Sequence, residues 1–184
     1  MKELAARLVD EAFEAEKKWG PRSRLREGFY YDLGYPKARS EVLRCLDLNA
    51  DEKNLVQRVL GSSFTQQPPI GKMFYHVVEL AEKTGGSRTA EIFGKINSVS
   101  EQLIDAYRKE QKRRPADERP RETEDMFLNP LTSFWQIGNM VKSALDEPKE
   151  AAFAVPLIRE HLARDEAGRV LAFFEKHHGG KFGW

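Results

Sequence analysis

Residues 87–112, SRTAEIFGKINSVSEQLIDAYRKEQK, decide the fold. Within them Ile92, Ile96, Val99, Leu103 and Ala106 follow one another at intervals of four and three residues. That spacing lays apolar side chains along one stripe of a helix, the seam of a long bundle helix. Ser87, just after Gly85-Gly86, is placed to cap its start.

Working outward toward the N-terminus, residues 70–81 carry Ile70, Met73, Phe74, Val77, Leu80 and Ala81 as a buried helical stripe that stops at Thr84-Gly85. Residues 50–60 are a shorter helix with Leu55, Val56, Val59 and Leu60 inward and Asn49 as its N-cap. Residues 37–46 give another, in which Cys45 falls in the apolar pattern VLRCL and reads as an inert core thiol. Residues 22–36 (RSRLREGFYYDLGYP) show no helical period and read as a long loop with a short extended piece at 29–31. Residues 2–19 are amphipathic, with Leu4, Leu8, Val9 and Ala12 on one side and Glu3, Arg7, Asp10 and Glu14 on the other, ended by Gly20-Pro21.

Toward the C-terminus, residues 113–126 hold two prolines and little apolar surface, so they read as a solvated linker. Asn129-Pro130 then predicts an N-cap with proline in the first helical position. The helix it opens carries Leu131, Phe134, Trp135, Val141 and Leu145 and stops near Pro148. Residues 149–178 form one kinked or two consecutive helices broken at Pro156, and a Gly-rich tail follows. The expectation is an all-α bundle of about seven or eight helices. It divides into an N-terminal lobe (1–112), the charged linker (113–126) and a C-terminal lobe (127–184).

The chain has 184 residues, with 30 Lys+Arg against 29 Asp+Glu and a single Cys. Near-neutral charge excludes a uniformly basic polyanion binder, and one Cys excludes a disulfide framework or a Cys-based zinc site. No apolar run is long enough to span a bilayer, and no signal peptide opens the chain, so the expectation is a cytoplasmic protein with no membrane partner.

Chemistry is sparse. Neither GxxxxGK[ST], GxGxxG nor GxSxG occurs. Gly85-Gly86-Ser87-Arg88 reads as a helix stop and start rather than an anion cradle. His76 with Glu79, and Glu175 with His178, are three apart and share helix faces, the arrangement that contributes ligands to di-iron bundles. The remaining carboxylates of such a centre are not singled out, so no metal, cofactor or catalytic residue is assigned. Arg169 and His177 stand too far apart for the Arg/His pair of a compact helical ribonuclease.

Charge placement says more. Lys17, Lys18, Arg22, Arg24 and Arg26 gather beside Phe29, Tyr30, Tyr31 and Tyr35. A second cluster, Arg108, Lys109, Lys112, Arg113 and Arg114, closes the longest helix. Cations neutralise phosphates and aromatic faces stack on unpaired bases, so these residues, with Tyr30 and Tyr31, form the candidate contact set for RNA or single-stranded DNA. Phe182 and Trp184 on the Gly-flanked tail are candidate anchors for another protein subunit.

In size and composition the chain resembles the small helical subunits of CRISPR effector complexes, although no motif carries the resemblance. It implies a non-catalytic subunit of a nucleoprotein complex that contacts nucleic-acid backbone. A protein–protein adaptor without nucleic acid is the alternative, and a metal-carboxylate bundle enzyme is a third reading.

Overall fold

The computed structural model describes residues 1–19, 29–61, 70–120 and 126–180. Among them are eight α-helices: α1 (Lys2–Trp19), α2 (Phe29–Arg44), α3 (Ala50–Leu60), α4 (Ile70–Thr84), α5 (Gly86–Arg113), α6 (Leu128–Asp146), α7 (Pro148–His161) and α8 (Arg164–His177). A 3-10 turn covers Ala116–Glu118, and the described residues contain no strand. The protein is an all-α bundle. No helix among the described residues is long and apolar enough to cross a membrane.

The long helix α5 is the axis. Its buried residues, among them Ile92, Phe93, Ile96, Leu103 and Tyr107, face α1, α4 and α6, and its most extensive packing is against α6. That approach depends on Gly138, because a Cβ there would stand 2.7 Å from the Asn97 nitrogen and 2.8 Å from the Phe93 oxygen. One cluster of buried apolar residues runs through the helices on both sides of the 113–126 segment. Fully buried Tyr35 lies edge-on to Phe134, with ring centroids 4.7 Å apart, and ties α2 to α6.

Several boundaries depart from the sequence reading. The helix expected from residue 37 starts at Phe29 and takes in part of the expected loop. Tertiary contacts outweigh its weak periodicity. Gly34 backs closely onto Met126, and the Tyr35 hydroxyl donates to the Leu60 carbonyl at the end of α3. Pro36 sits inside this helix. Residues 22–28 lie outside the described set.

Cys45, expected in the core, is exposed, because α2 ends at Arg44 and the thiol follows the last helical residue. Ser87 is not the cap of α5. Gly85 occupies that position with φ +89°, a conformation open to glycine, and its carbonyl accepts the Thr89 hydroxyl at 3.0 Å. Likewise α6 begins at Leu128 with Phe127 as N-cap, so Asn129 and Pro130 lie within its first turn. Proline is tolerated there because the first four helical N–H groups have no intrahelical acceptor.

Pro156 does not break α7. The carbonyl that it leaves without a donor belongs to Ala152, and both residues are exposed, so water can satisfy it. The chain turns instead at Leu162 and Ala163, which gives two consecutive helices. Asn49 caps α3 as expected, its Oδ1 accepting from the Glu52 nitrogen at 2.9 Å, and Glu52 completes a capping box that the sequence reading did not name.

Candidate nucleic-acid interface

Two sets of contacts fix the direction of α1. Against α5, Arg114 places Nη1 2.6 Å from Asp10 Oδ1 and Nη2 3.4 Å from the Ala6 carbonyl, while Met1 and Lys2 lie beside the stretch from Gln102 to Arg113. The numbering rises in the same sense along both helices, so their C-terminal ends point the same way. Against α2 the order reverses. Arg7 lies 4.0 Å from Glu41, and Lys37 is ion-paired to Glu11.

The two registers set the basic clusters at different levels of α1. Lys17 and Lys18 lie about 10 Å beyond Asp10 along the axis of α1, at 1.5 Å per residue. Tyr30 and Tyr31 lie about as far before Lys37 along antiparallel α2. The C-terminus of α1 and the N-terminus of α2 therefore lie together, about 10 Å beyond the level at which Arg114 closes α5, whereas the last turns of α5 lie beside Met1 and Lys2 at the start of α1. The surface of α1 and α5 carries two groups of exposed cations, Lys17 and Lys18 at one end of α1 and Arg108, Lys109, Lys112 and Arg113 toward the other. Arg22, Arg24 and Arg26 belong to the connection joining α1 and α2 and lie outside the described residues, as do Phe182 and Trp184.

The cations of this surface differ in what holds them. Lys17 is 2.9 Å from Glu14, with its ammonium 4.2 Å from the Phe13 ring centroid. Lys18 lies 4.7 Å from the Trp19 ring centroid. Arg113 is 3.9 Å from Glu110. Arg108, Lys109 and Lys112 form no ion pair among the described residues. Arg114 is turned inward: its side chain is 17% exposed and engages Asp10, Glu110 and the Ala6 carbonyl. The hydrogen bond to Asp10 raises its pKa above the usual arginine value.

Three features of this surface were not assigned from sequence. Arg119 folds back on α5, donating to the Arg114 carbonyl at 2.6 Å and the Lys112 carbonyl at 3.1 Å, which adds a cation where the helix dipole is negative. Trp19, the last residue of α1, is 44% exposed beside Lys18. Lys2 comes close to Lys109 and Arg113 along a groove of about 310 Å³ between α1 and α5. Only Trp19 had a legible signal, since it is the last residue before Gly20-Pro21. By contrast Tyr35, grouped with the aromatics of the first cluster, is fully buried.

The other candidates are held by intramolecular partners. Arg88 donates to Glu52 at 2.9 Å and to the Asp47 carbonyl at 2.8 Å, and it also pairs with Glu91. The hydrogen bond from Arg88 in turn holds the Glu52 carboxyl below its ordinary pKa. His76 Nδ1 lies 2.8 Å from Glu79, which also faces Arg58. His178 Nε2 is 2.9 Å from the Ala144 carbonyl and His177 Nε2 is 2.8 Å from that of Leu145, so both rings cap the end of α6. Among the described residues no three His, Cys, Asp or Glu side chains come together in an arrangement that could hold a metal ion. Arg169 is bound to Glu82 and to the Tyr75 hydroxyl.

No protein-family model matches the chain, and no curated protein or solved structure matches it.

Proposed function

We propose that the protein is a non-catalytic helical subunit of a cytoplasmic nucleoprotein complex, and that the surface formed by α1 and the last turns of α5 lies along the backbone of RNA or single-stranded DNA. The observation that carries this reading is a row of exposed cations along α1 and the last turns of α5, drawn from two clusters far apart in sequence, with Arg108, Lys109 and Lys112 outside any described ion pair. Cations placed together and left uncompensated gain more from a phosphate backbone than from one another. Exposed Trp19 beside Lys18 supplies aromatic surface for unpaired bases and favours a single strand. In this role the chain would act as the small helical subunits of CRISPR effector complexes do, an analogy of class.

The test is size-exclusion chromatography of natively purified protein across a salt series, following absorbance at 260 and 280 nm. Nucleic acid that co-elutes at low salt and dissociates as salt rises supports the reading. A nucleic-acid-free peak at every salt contradicts it.

One feature favours protein contacts as well. Phe153 on α7 is 77% exposed, far more than the other large apolar residues, and stands beside exposed Ala152 and Pro156. Such an aromatic suits docking of a neighbouring subunit. Phe153→Ser should weaken subunit capture and leave nucleic-acid affinity unchanged.

A further inference from the structure

We infer that the solvent face of α7 is the contact between two copies of this chain, which meet there antiparallel about a twofold axis; the inference does not rest on the nucleic-acid reading above. Lys149, Phe153, Pro156 and Glu160 follow one another at intervals of four, three and four residues and are all exposed, on the side of the helix away from buried Ala151, Ala154, Val155 and Ile158. That spacing is the seam by which one helix packs along another. Phe153 is 77% exposed near its middle. Pro156 bears the cost of a proline inside a helix while its ring stays exposed, so little of it packs in the monomer. Lys149 and Glu160, at the two ends of the seam, form no ion pair among the described residues.

Charge complementarity names the occupant and its direction. The four residues are placed symmetrically about the midpoint between Ala154 and Val155. In an antiparallel pair, the register that brings Lys149 level with the partner's Glu160 therefore also brings Phe153 level with the partner's Pro156. The twofold axis repeats both contacts. One register thus yields two opposite-charge pairs about 16 Å apart, with two aromatic–proline contacts between them. A parallel pair would set each residue against its own copy, lysine on lysine and glutamate on glutamate, and like charges repel. The face carries its own complement only in the antiparallel sense. One 14-residue helix from each copy makes a contact smaller than the standard interface of about 1,600 Å². The association is therefore reversible, and its exposed charge pairs make it weaker as salt rises.

The experiment is sedimentation equilibrium of the whole chain, freed of nucleic acid at high salt and returned to one low salt, over a range of protein concentrations. The wild type should pass from monomer to dimer as concentration rises. Lys149→Glu and Glu160→Lys should each weaken the dimer by about tenfold, since each turns both charge pairs repulsive. Phe153→Ser should weaken it at least as much. All three positions are exposed, and circular dichroism melts of the dilute variants check that the fold is kept. The two charge variants mixed in equal amounts should dimerise at wild-type strength, because each then meets an opposite charge at both ends of the seam. A wild type that stays monomeric up to about 1 mM would overturn the inference. So would a dimer that Phe153→Ser leaves intact, or charge variants that fail to recover on mixing. In each of those cases the basic surface of α1 and α5 stands, since none of the substituted residues belongs to it.

Discussion

Asp10 and Arg114 meet at 2.6 Å across a sequence separation of 104 residues, and this contact sets the register of α1 on α5. Arg114 also reaches the Ala6 carbonyl, so one guanidinium grips two successive turns of α1. The side chain is mostly covered while Asp10 is largely exposed, and the two substitutions should therefore differ. Asp10→Asn should cost less than about 1 kcal/mol. Arg114→Ala, which removes three hydrogen-bonded contacts, should cost about 1–3 kcal/mol. Urea unfolding midpoints of the single and double variants, arranged as a cycle, check the claim. Independent, additive effects would mean that the pair does not hold the helices together.

Trp19 should separate binding from folding. Its ring is substantially exposed at the end of α1, so Trp19→Ala should shift the melting temperature by no more than a few degrees. Affinity for a single strand should fall by about fivefold or more if the ring stacks on a base. Unchanged affinity would remove Trp19 from the contact surface.

Gly138 is where α5 and α6 approach most closely by the measure of an added Cβ. Unless the helices part, a methyl group there meets the backbone of Phe93 and Asn97. Gly138→Ala should destabilise the fold by about 1–3 kcal/mol in spite of the better helix propensity of alanine. A gain in stability in chemical denaturation would show that the two helices have slack at this point.

Acid should loosen the junction between α3 and α5. The Glu52 carboxyl lies below its ordinary value, chiefly through the hydrogen bond from Arg88. A carboxyl with a folded pKa below its unfolded one adds stability above the unfolded value of about 4.3, and that stability is lost as pH falls through the lower folded value. Glu52→Gln should thus be less stable than the wild type at neutral pH, with the difference shrinking as pH drops below about 4. Thermal melts across that range check it. A constant difference between the two proteins would contradict this assignment.

How much of this was legible in the sequence depends on where the information lay. α5 announced itself because its apolar residues keep a helical spacing through many turns, and α3 because Asn49 caps it locally. α2 was only half legible. Its first turns are held by Tyr35 against Leu60 and by Gly34 against Met126, contacts with distant chain that leave no periodic trace. Pro156 misled in the opposite direction, because the cost of a missing N–H falls when the orphaned carbonyl faces water. For the candidate interface, the identity of the cations was in the sequence and their placement along α1 was not. Arg114 looks like any other member of RKEQKRR until Asp10 is seen beside it, and only then is the direction of α1 on α5 fixed.

The central claim is that the cationic surface of α1 and α5 binds a nucleic-acid backbone, and the most direct measurement is the salt dependence of single-stranded RNA binding by the wild type and by Arg108→Gln/Lys109→Gln/Lys112→Gln. These residues are exposed and lie outside the packed core, so the triple variant should keep its fold, which its circular dichroism melt verifies. Each phosphate contact on a single strand contributes about 0.7 to the slope of log K against log salt, so losing three should reduce the slope by about 2 and weaken binding at low salt. An identical slope and affinity in the two proteins would contradict the account.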